Sequence, residues 1–151
     1  MQQRFDYRQF APDVYAAMAH LQAAVNKSGL EQALLELVKL RASQINGCAY
    51  CIDMHFKDAC AAGETAQRLY LLDAWRETPL YSERERAALA WTESITLIHE
   101  DGAPDEVYEQ ARKHFSEQQL ASLTLAIIAI NGWNRLSIGF RMPPTYQRAE
   151  K

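Results

Sequence analysis

The segment that decides the fold is residues 36–55, which read ELVKLRASQINGCAYCIDMH. Apolar residues recur at helical spacing on both sides of Asn46-Gly47, and asparagine followed by glycine is a common helix stop. We therefore predict one helix from about Glu31 to Ile45 and another from Cys48 to about Ala62, before Gly63. A turn this tight folds the second helix back against the first.

The rest of the chain also has helical periodicity, and no β-branched or aromatic run alternates apolar and polar residues over five positions. Pro12 marks a helix start, and the capping boxes Ser82-Glu-Arg-Glu85 and Ser116-Glu-Gln-Gln119 mark two more. The sequence predicts an all-α fold, a single domain of about six to seven helices over residues 1–151. The further predicted helices run from Pro12 to Lys27-Ser28-Gly29, from Glu64 to about Trp75, from Ser82 to about Glu100, from Pro104 over a short stretch, and from Leu120 to about Phe140.

Composition and charge exclude several classes of function. The chain has 16 Lys and Arg against 19 Asp and Glu, a formal net charge of −3, with no long basic block. Nucleic-acid binding needs a cationic patch that displaces counterions, so we expect no nucleic-acid partner. No apolar run reaches the roughly eighteen residues that cross a bilayer, and the N-terminus lacks the apolar core of a secretory signal. We expect a cytoplasmic protein with no membrane partner.

The last predicted helix is apolar on nearly every side in its first half. A helix of this kind is surrounded by other structure, and full enclosure by one small domain is difficult. We therefore expect a neighbouring subunit to cover part of it, against the alternative of a central core helix in a monomer. Further along, one interpretation is that Trp133, Asn134 and Arg135 line a pocket or a subunit interface; the alternative is that Trp133 is a core side chain and Arg135 a surface pair. The apolar residues are Leu120, Leu123, Leu125, Ala126, Ile127, Ile128 and Ile130.

The residues that carry chemistry lie at the start of the helix after Gly47. Each helical residue advances by about 100°, so Cys48, Cys51 and His55 fall within a sector of about 60°. Unpaired backbone N–H groups and the helix dipole favour negative charge there, which lowers a thiol pKa. His55 can accept a proton or stabilise a thiolate as a cation. Cys60 projects about 150° from the middle of this sector, so we expect a buried thiol outside the cluster.

Glu36 lies on the preceding helix, twelve residues before Cys48. The tight turn between the two helices lets its side chain approach the face that carries Cys51 and His55. The neighbours of Glu36 in sequence are mostly leucines, and a carboxylate held among apolar groups has a raised pKa. We expect such a carboxylate to relay protons near neutrality.

The pattern Glu36-x(11)-Cys48-x-x-Cys51-x-x-x-His55 resembles the signature of the alkylhydroperoxidase D (AhpD)-like branch of the carboxymuconolactone decarboxylase family. The motif is specific, because four residues agree at fixed spacings over twenty positions. The resemblance implies an all-helical domain with the C-x-x-C at the N-terminus of a helix, assembled into homo-oligomers, either trimers or hexamers. It also implies a thiol-dependent peroxidase in which Cys51 attacks peroxide, Cys48 resolves the product to a disulfide, and Glu36 and His55 relay protons. The partners would then be a peroxide substrate and a thiol or dithiol electron donor, with no cofactor.

Tyr50 departs from this pattern. The best-characterised alkylhydroperoxidase members carry a histidine directly before the second cysteine, and this chain has a tyrosine there. A phenol with a pKa of about 10 donates a hydrogen bond but is a poor base at pH 7. We therefore treat Tyr50 as an auxiliary residue of the site.

Three other interpretations of the cluster stay open. Two thiolates and an imidazole are a familiar zinc set, but a structural zinc site needs four protein ligands and no second C-x-x-C or H-x-x-x-H follows, so we expect no metal. Lactone decarboxylases of the family generally lack the C-x-x-C, which disfavours decarboxylation. A non-catalytic thiol module that senses oxidants or binds a partner protein would be oxidised stoichiometrically, without turnover.

Overall fold

The computed structural model describes residues 2–144, and within that range it contains helices and connecting turns but no strand. Six of the helices are long, which confirms the predicted all-α fold. None of the described helices is both long and apolar enough to span a bilayer. In chain order they are α1 (Tyr7–Phe10), α2 (Pro12–Asn26), α3 (Gln32–Asn46), α4 (Ala49–Ala61), α5 (Ala66–Tyr70), a 3-10 helix (Leu72–Glu77), α6 (Glu83–Thr96), α7 (Ile98–Asp101), α8 (Asp105–His114) and α9 (Glu117–Phe140).

Both predicted capping boxes are present. The Ser82 side chain accepts a hydrogen bond from the backbone N–H of Glu85, and the Glu85 side chain accepts one from the backbone of Ser82. Ser116 and Gln119 make the same reciprocal pair at the start of α9. Each box satisfies two backbone donors that the first helical turn leaves without partners.

Two predicted helices are shorter than expected. The helix predicted from Glu64 to Trp75 is α5 followed by the 3-10 helix, because α5 ends at Tyr70 and Leu71, with φ −86° and ψ 0°, separates the two. A second break lies inside the 3-10 helix at Ala74, which has φ −106° and ψ 27°. The helix predicted from Ser82 to Glu100 ends at Thr96, because Leu97, with φ −100° and ψ 33°, separates it from α7. The short helix α1 was not predicted.

Helix α3 is the centre of the molecule. Every residue from 34 to 40 is buried, because one apolar cluster packs between α3 and helices α2, α6 and α9 and a second packs between α3 and helices α4, α5 and α6. Two charged residues, Glu36 and Lys39, lie within this stretch and are therefore buried as well. Burying a charge is costly unless it is paired and hydrogen-bonded, so both side chains need partners.

Helix α9 is covered mainly by its own chain. Leu123 and Ile127 are fully buried, so the expectation that one small domain cannot enclose this helix is wrong for most of its length. Ile128 and Ile138 are the exceptions among its large apolar side chains, with 52% and 46% of their surfaces exposed. Helices α2 and α9 pack closely at Gly132, where an added Cβ atom would come within 2.8 Å of Cε of Met18. The homo-oligomer stays a prediction, which now rests on the resemblance and on Ile128.

Candidate active site

The turn between α3 and α4 places the first cysteine. Gly47 has φ 67° and ψ 33°, the left-handed conformation that glycine adopts without a steric penalty. The backbone N–H groups of Gly47 and Cys48 donate to the carbonyls of Gln44 and Ser43, which closes α3. Cys48 then becomes the N-cap of α4, with an extended backbone, and Cys51 follows within the first turn.

The two sulfur atoms of the C-x-x-C lie together. Sγ of Cys48 and Sγ of Cys51 are 2.9 Å apart, and both residues are about 1% exposed. Both are free thiols here, and their separation exceeds the ~2.05 Å of a disulfide by less than 1 Å. A small side-chain rotation would bring them to bonding distance.

The prediction that Cys60 is buried is wrong. Cys60 lies near the end of α4 and is exposed to solvent, whereas Cys51 and His55 are buried. Helix α4 is a surface helix, so the face that carries Cys51 and His55 packs inward and the opposite face meets water. Cys60 is correctly predicted to lie outside the cluster.

Glu36 and His55 are brought together as predicted. Nδ1 of His55 lies 2.8 Å from Oε2 of Glu36. The other carboxylate oxygen, Oε1, accepts hydrogen bonds from Nζ of Lys39 at 3.0 Å and from Nε2 of Gln32 at 2.6 Å. Because an ionised carboxylate only accepts, Nδ1 of His55 carries the hydrogen and Nε2 is left to take a proton.

The expected raised pKa of Glu36 is wrong. Burial by itself raises the pKa of this carboxyl, but the hydrogen bond and charge of His55 and the nearby ammonium of Lys39 together outweigh burial, and the pKa is lowered. The sequence argument considered the leucines beside Glu36 in the chain and missed the cation one helical turn away. Glu36 is therefore an ionised anchor for His55.

The two thiols differ in acidity. The hydrogen bond from Cys51 lowers the pKa of Cys48 to about 7, although burial opposes this, and the backbone N–H of Cys51 and the side chains of Ser137 and Asn134 assist. The same sulfur–sulfur hydrogen bond, burial and the charge on Cys48 raise the pKa of Cys51. The predicted lowering of the thiol pKa at the helix start therefore holds for Cys48 and is wrong for Cys51, which keeps its proton in the reduced pair.

Cys51, Glu36 and His55 line one cavity of about 400 Å³. Tyr15 and Trp133 form part of its wall, with ring centroids 5.7 Å apart. Among the described residues no hydrogen bond joins His55 directly to Cys51, so a molecule in the cavity has to connect them. The cavity is large enough for a water or a small oxidant between the imidazole and the sulfur.

Helix α9 contributes two polar residues to the site: Ser137, which the sequence did not single out, and Asn134, which it indicated only as a candidate for a pocket or interface. Oγ of Ser137 lies 3.8 Å from Sγ of Cys51. Asn134 is fully buried, donates to Oγ of Ser43 at 3.0 Å, and accepts from Nδ2 of Asn46 at 2.9 Å. These bonds fix α9 against the turn that carries the cysteines. Polar residues inside an otherwise apolar helix were the signal that could have identified them.

The structure places Tyr50, Trp133 and Arg135 in different surroundings. Tyr50 is half-buried and lines the cavity of Cys51, and its auxiliary role stays a prediction. Trp133 lines the same cavity, as one of the two interpretations of the sequence allowed. Arg135 donates to the backbone and side-chain oxygens of Asn131 on its own helix, which is the surface pairing of the other interpretation.

A metal could in principle be held by Glu36, His55 and Asp58, whose ligand atoms lie within 4.8 Å of one another. Glu36 already binds the Lys39 ammonium and the N–H of His55. A cation at this carboxylate would have to displace both, so the donor set suits proton transfer better than metal binding. Neither cysteine belongs to this group of residues.

Comparison with known proteins agrees with this geometry. The model of the carboxymuconolactone decarboxylase family matches residues 12–94. The uncharacterised protein YdfG of Bacillus subtilis (strain 168) is 46% identical over 138 residues, which cover 91% of this chain and 94% of that protein. The chain belongs to the carboxymuconolactone decarboxylase family.

Of two similar solved structures, the first places the chain in the AhpD-like branch of that family and the second shares its fold. The first is a protein of unknown function from Agrobacterium tumefaciens whose name suggests AhpD antioxidant defence. It has a TM-score of 0.95 and 44% identity, and the match covers 97% of this chain and 100% of that one. The other is a peroxidase-related AhpD core protein from Ralstonia eutropha JMP134, with a TM-score of 0.81 over 91% of this chain and 74% of that one. At 18% identity the second shows a shared fold.

Proposed function

We propose that this AhpD-like chain is a thiol-dependent peroxidase that uses Cys48 and Cys51 as a redox pair. The observation that carries the proposal is the cavity that Cys51 shares with the Glu36–His55 pair. The thiol of Cys51 is also within hydrogen-bonding distance of the thiol of Cys48. A nucleophile, a neighbouring thiol that can resolve it and an anchored base are the parts that peroxide reduction requires. The names of the two structural relatives point towards the same chemistry.

In the first step His55 takes the proton of Cys51 at Nε2 through a water in the cavity, while Glu36 holds the ring through Nδ1. The Cys51 thiolate attacks the terminal oxygen of a hydroperoxide, the O–O bond breaks, and the leaving alkoxide or hydroxide receives the proton from His55. Cys51 is now a sulfenic acid. The Cys48 thiolate attacks its sulfur, forms the disulfide and releases hydroxide, which is protonated to water.

An external thiol or dithiol then reduces the disulfide and completes the cycle. We propose a cytoplasmic location for this cycle, because a reducing compartment maintains such donors. We also propose that the protein acts as a homo-oligomer, a trimer or hexamer, in which a neighbouring subunit covers Ile128.

The proposal is tested by peroxide consumption with a panel of reductants that includes small thiols, a lipoyl protein and a thioredoxin-like protein. The wild-type chain should consume many equivalents of peroxide with at least one donor, and Cys51→Ser should consume none above background. Cys60→Ser is the matched control, because it removes an exposed thiol outside the cavity and should turn over like the wild type. A single equivalent consumed with every donor would contradict the proposal and favour an oxidant sensor.

A further inference from the structure

The two cysteines of the redox pair line different cavities. Cys51 lines the cavity with Glu36 and His55, whereas Cys48 lines a second cavity of about 260 Å³. Tyr50, Ser137 and Met142 line both and form the wall between them. The pair therefore lies across that wall, with one cysteine lining each cavity.

The geometry of thiol–disulfide exchange decides from which side a donor thiolate can attack each sulfur. The incoming thiolate approaches in line with the S–S bond, on the side opposite the sulfur that leaves, and its rate depends on which sulfur it can reach. A donor that attacks Cys48 has to come along the extension of the bond beyond Cys48, away from Cys51. The second cavity is lined by Cys48 and not by Cys51, so it provides that approach.

The second cavity has a shallow, mainly apolar wall with one cation. Ala49, Ile138 and Pro143 are exposed at its surface, and Arg141 is the only charged side chain among its described lining residues. No carboxylate in the part of the chain that the structure describes pairs with the Arg141 guanidinium. The charge is therefore available to a bound anion.

The backbone of Arg141 adds a second observation. With φ 56° and ψ 48° it closes α9 in the left-handed conformation, and it is the one non-glycine residue between 2 and 144 with a positive φ. Glycine is the usual residue at such a helix end, since a side chain there costs about 1 kcal/mol. Uncommon backbone conformations of this kind concentrate at functional sites.

We propose that the cavity beside Cys48 is the access site for the reducing thiol, and that Arg141 favours donors that carry an anionic group close to the thiol. This inference rests on the proposed redox cycle and assigns its two half-reactions to two cavities. Peroxide reacts at Cys51, on the side of Glu36 and His55. The donor reacts at Cys48, on the side of Arg141.

The reductive step balances as two successive exchanges. The donor thiol releases its proton to solvent and its thiolate attacks Sγ of Cys48, the Cys48–Cys51 bond breaks, and the Cys51 thiolate leaves into the cavity with His55, where it takes up a proton from water. A second donor thiolate, or the second thiol of a dithiol, attacks the donor sulfur of the mixed disulfide and expels the Cys48 thiolate. The disulfide of the protein gains two electrons, and the donor is released as a disulfide.

The test measures reduction of a preformed disulfide, so that it does not depend on peroxidase activity. A Cys60→Ser protein is oxidised with diamide, and its reduction is followed with 3-mercaptopropionate, an anionic thiol, and with cysteamine, a cationic one. Arg141→Gly should slow reduction by 3-mercaptopropionate about threefold, the size expected for one exposed charge, and should not slow cysteamine. Comparing each donor between the two proteins cancels the intrinsic reactivity of the thiols.

Glycine suits the left-handed backbone, so loss of folding is not expected to obscure the result. Arg141→Lys should keep the preference, and 0.5 M salt should reduce it. Arg8→Gln removes a cation from the cavity of Cys51 and should leave the preference unchanged. An equal effect of Arg141→Gly on both donors, no effect on either, or a loss of preference in Arg8→Gln would overturn the inference. Absence of peroxide turnover would leave these rates unaffected and would refute only the proposed peroxidase.

Discussion

Two largely buried glutamates of this protein have similar hydrogen-bonding surroundings but differ in whether a hydrogen-bond partner can exchange a proton. Glu36 on α3 accepts hydrogen bonds from Gln32, Lys39 and His55. Glu93 on α6 accepts three as well, from Nε of Arg41 at 2.8 Å, from the indole N–H of Trp75 at 2.8 Å, and from Arg76 at 2.5 Å. Both side chains are largely buried, 5% and 14% exposed.

The difference lies in whether a partner can exchange a proton. Arginine and tryptophan keep their protons at every physiological pH, so the bonds of Glu93 hold α3, α6 and the 3-10 helix together and do nothing else. Glu36 bonds a histidine, whose second nitrogen is available near neutral pH, and both line the cavity of Cys51. A buried carboxylate with full hydrogen bonding is thus a structural group unless one of its partners titrates and faces a cavity.

The largest effect should come from Glu36→Gln. The amide keeps the shape of the side chain but no longer anchors the imidazole as a carboxylate, and general acid–base catalysis is worth about 10²–10⁴-fold. We expect kcat/KM for peroxide to fall at least about 100-fold, measured by coupled peroxide consumption. A variant with more than half of the wild-type activity would remove Glu36 from the relay.

Glu93→Gln is the counterpart at the other carboxylate. It weakens bonds to two arginines, and hydrogen bonds to charged groups contribute about 1.5–3 kcal/mol. We expect the free energy of unfolding to fall by about 2 kcal/mol in urea titration, with the activity of the folded fraction within about twofold of the wild type. A loss of activity as large as that of Glu36→Gln would show that the two carboxylates do not differ as argued.

Lys39→Met tests the role of Glu36 through the pH dependence of the reaction rate. The Lys39 ammonium helps to hold the pKa of Glu36 below its usual value, so its removal raises that pKa. Glu36 acts as a carboxylate and is lost by protonation as pH falls, so the acidic limb of the pH–rate profile should move to higher pH. One pKa unit corresponds to about tenfold in rate on that limb.

Arg41→Met is the control for this variant, since it removes a cation from Glu93. It should destabilise the fold and leave the pH–rate profile in place. The same shift in both variants would mean that loosened packing, and not the charge beside Glu36, sets the profile.

The smallest effect concerns the acidity of Cys48. In a Cys60→Ser protein, alkylation of Cys48 by iodoacetamide should rise with pH to half its maximum near pH 7, because the thiolate reacts and the pKa of Cys48 is about 7. Cys51→Ala removes the hydrogen bond that lowers this pKa, and should reduce the rate at pH 8 by about fourfold if the thiol returns to the free value of about 8.5. Peptide mass mapping identifies the labelled residue.

Most of the fold could be predicted because its signals are local. Asn46-Gly47 and the serines at 82 and 116 mark helix ends through backbone hydrogen bonds within a few residues. The breaks at Leu71, Ala74 and Leu97 carry no such signal, since none of these residues is a helix breaker. Helix α1 is four residues long, too short to show a period.

Only the site residues that lie at fixed helical spacing in the motif could be predicted from the sequence. Cys48, Cys51, His55 and Glu36 follow from the helical repeat and one tight turn. Ser137 and Asn134 come from a helix more than eighty residues away, and nothing in the motif indicates which face of α9 meets the cysteines. The lowered pKa of Glu36 was missed for a nearer reason: Lys39 lies three residues on, at a spacing where helical side chains interact.

The central claim is that Cys51 attacks peroxide and Cys48 resolves the sulfenic acid, and sulfenic acid trapping tests it most directly. Cys48→Ser and Cys51→Ser proteins, both with Cys60→Ser, are treated with one equivalent of peroxide in the presence of dimedone and mapped by mass spectrometry. The account predicts an adduct on Cys51 when Cys48 is serine, and none on Cys48 when Cys51 is serine. Equal labelling of the remaining cysteine in both proteins would contradict it.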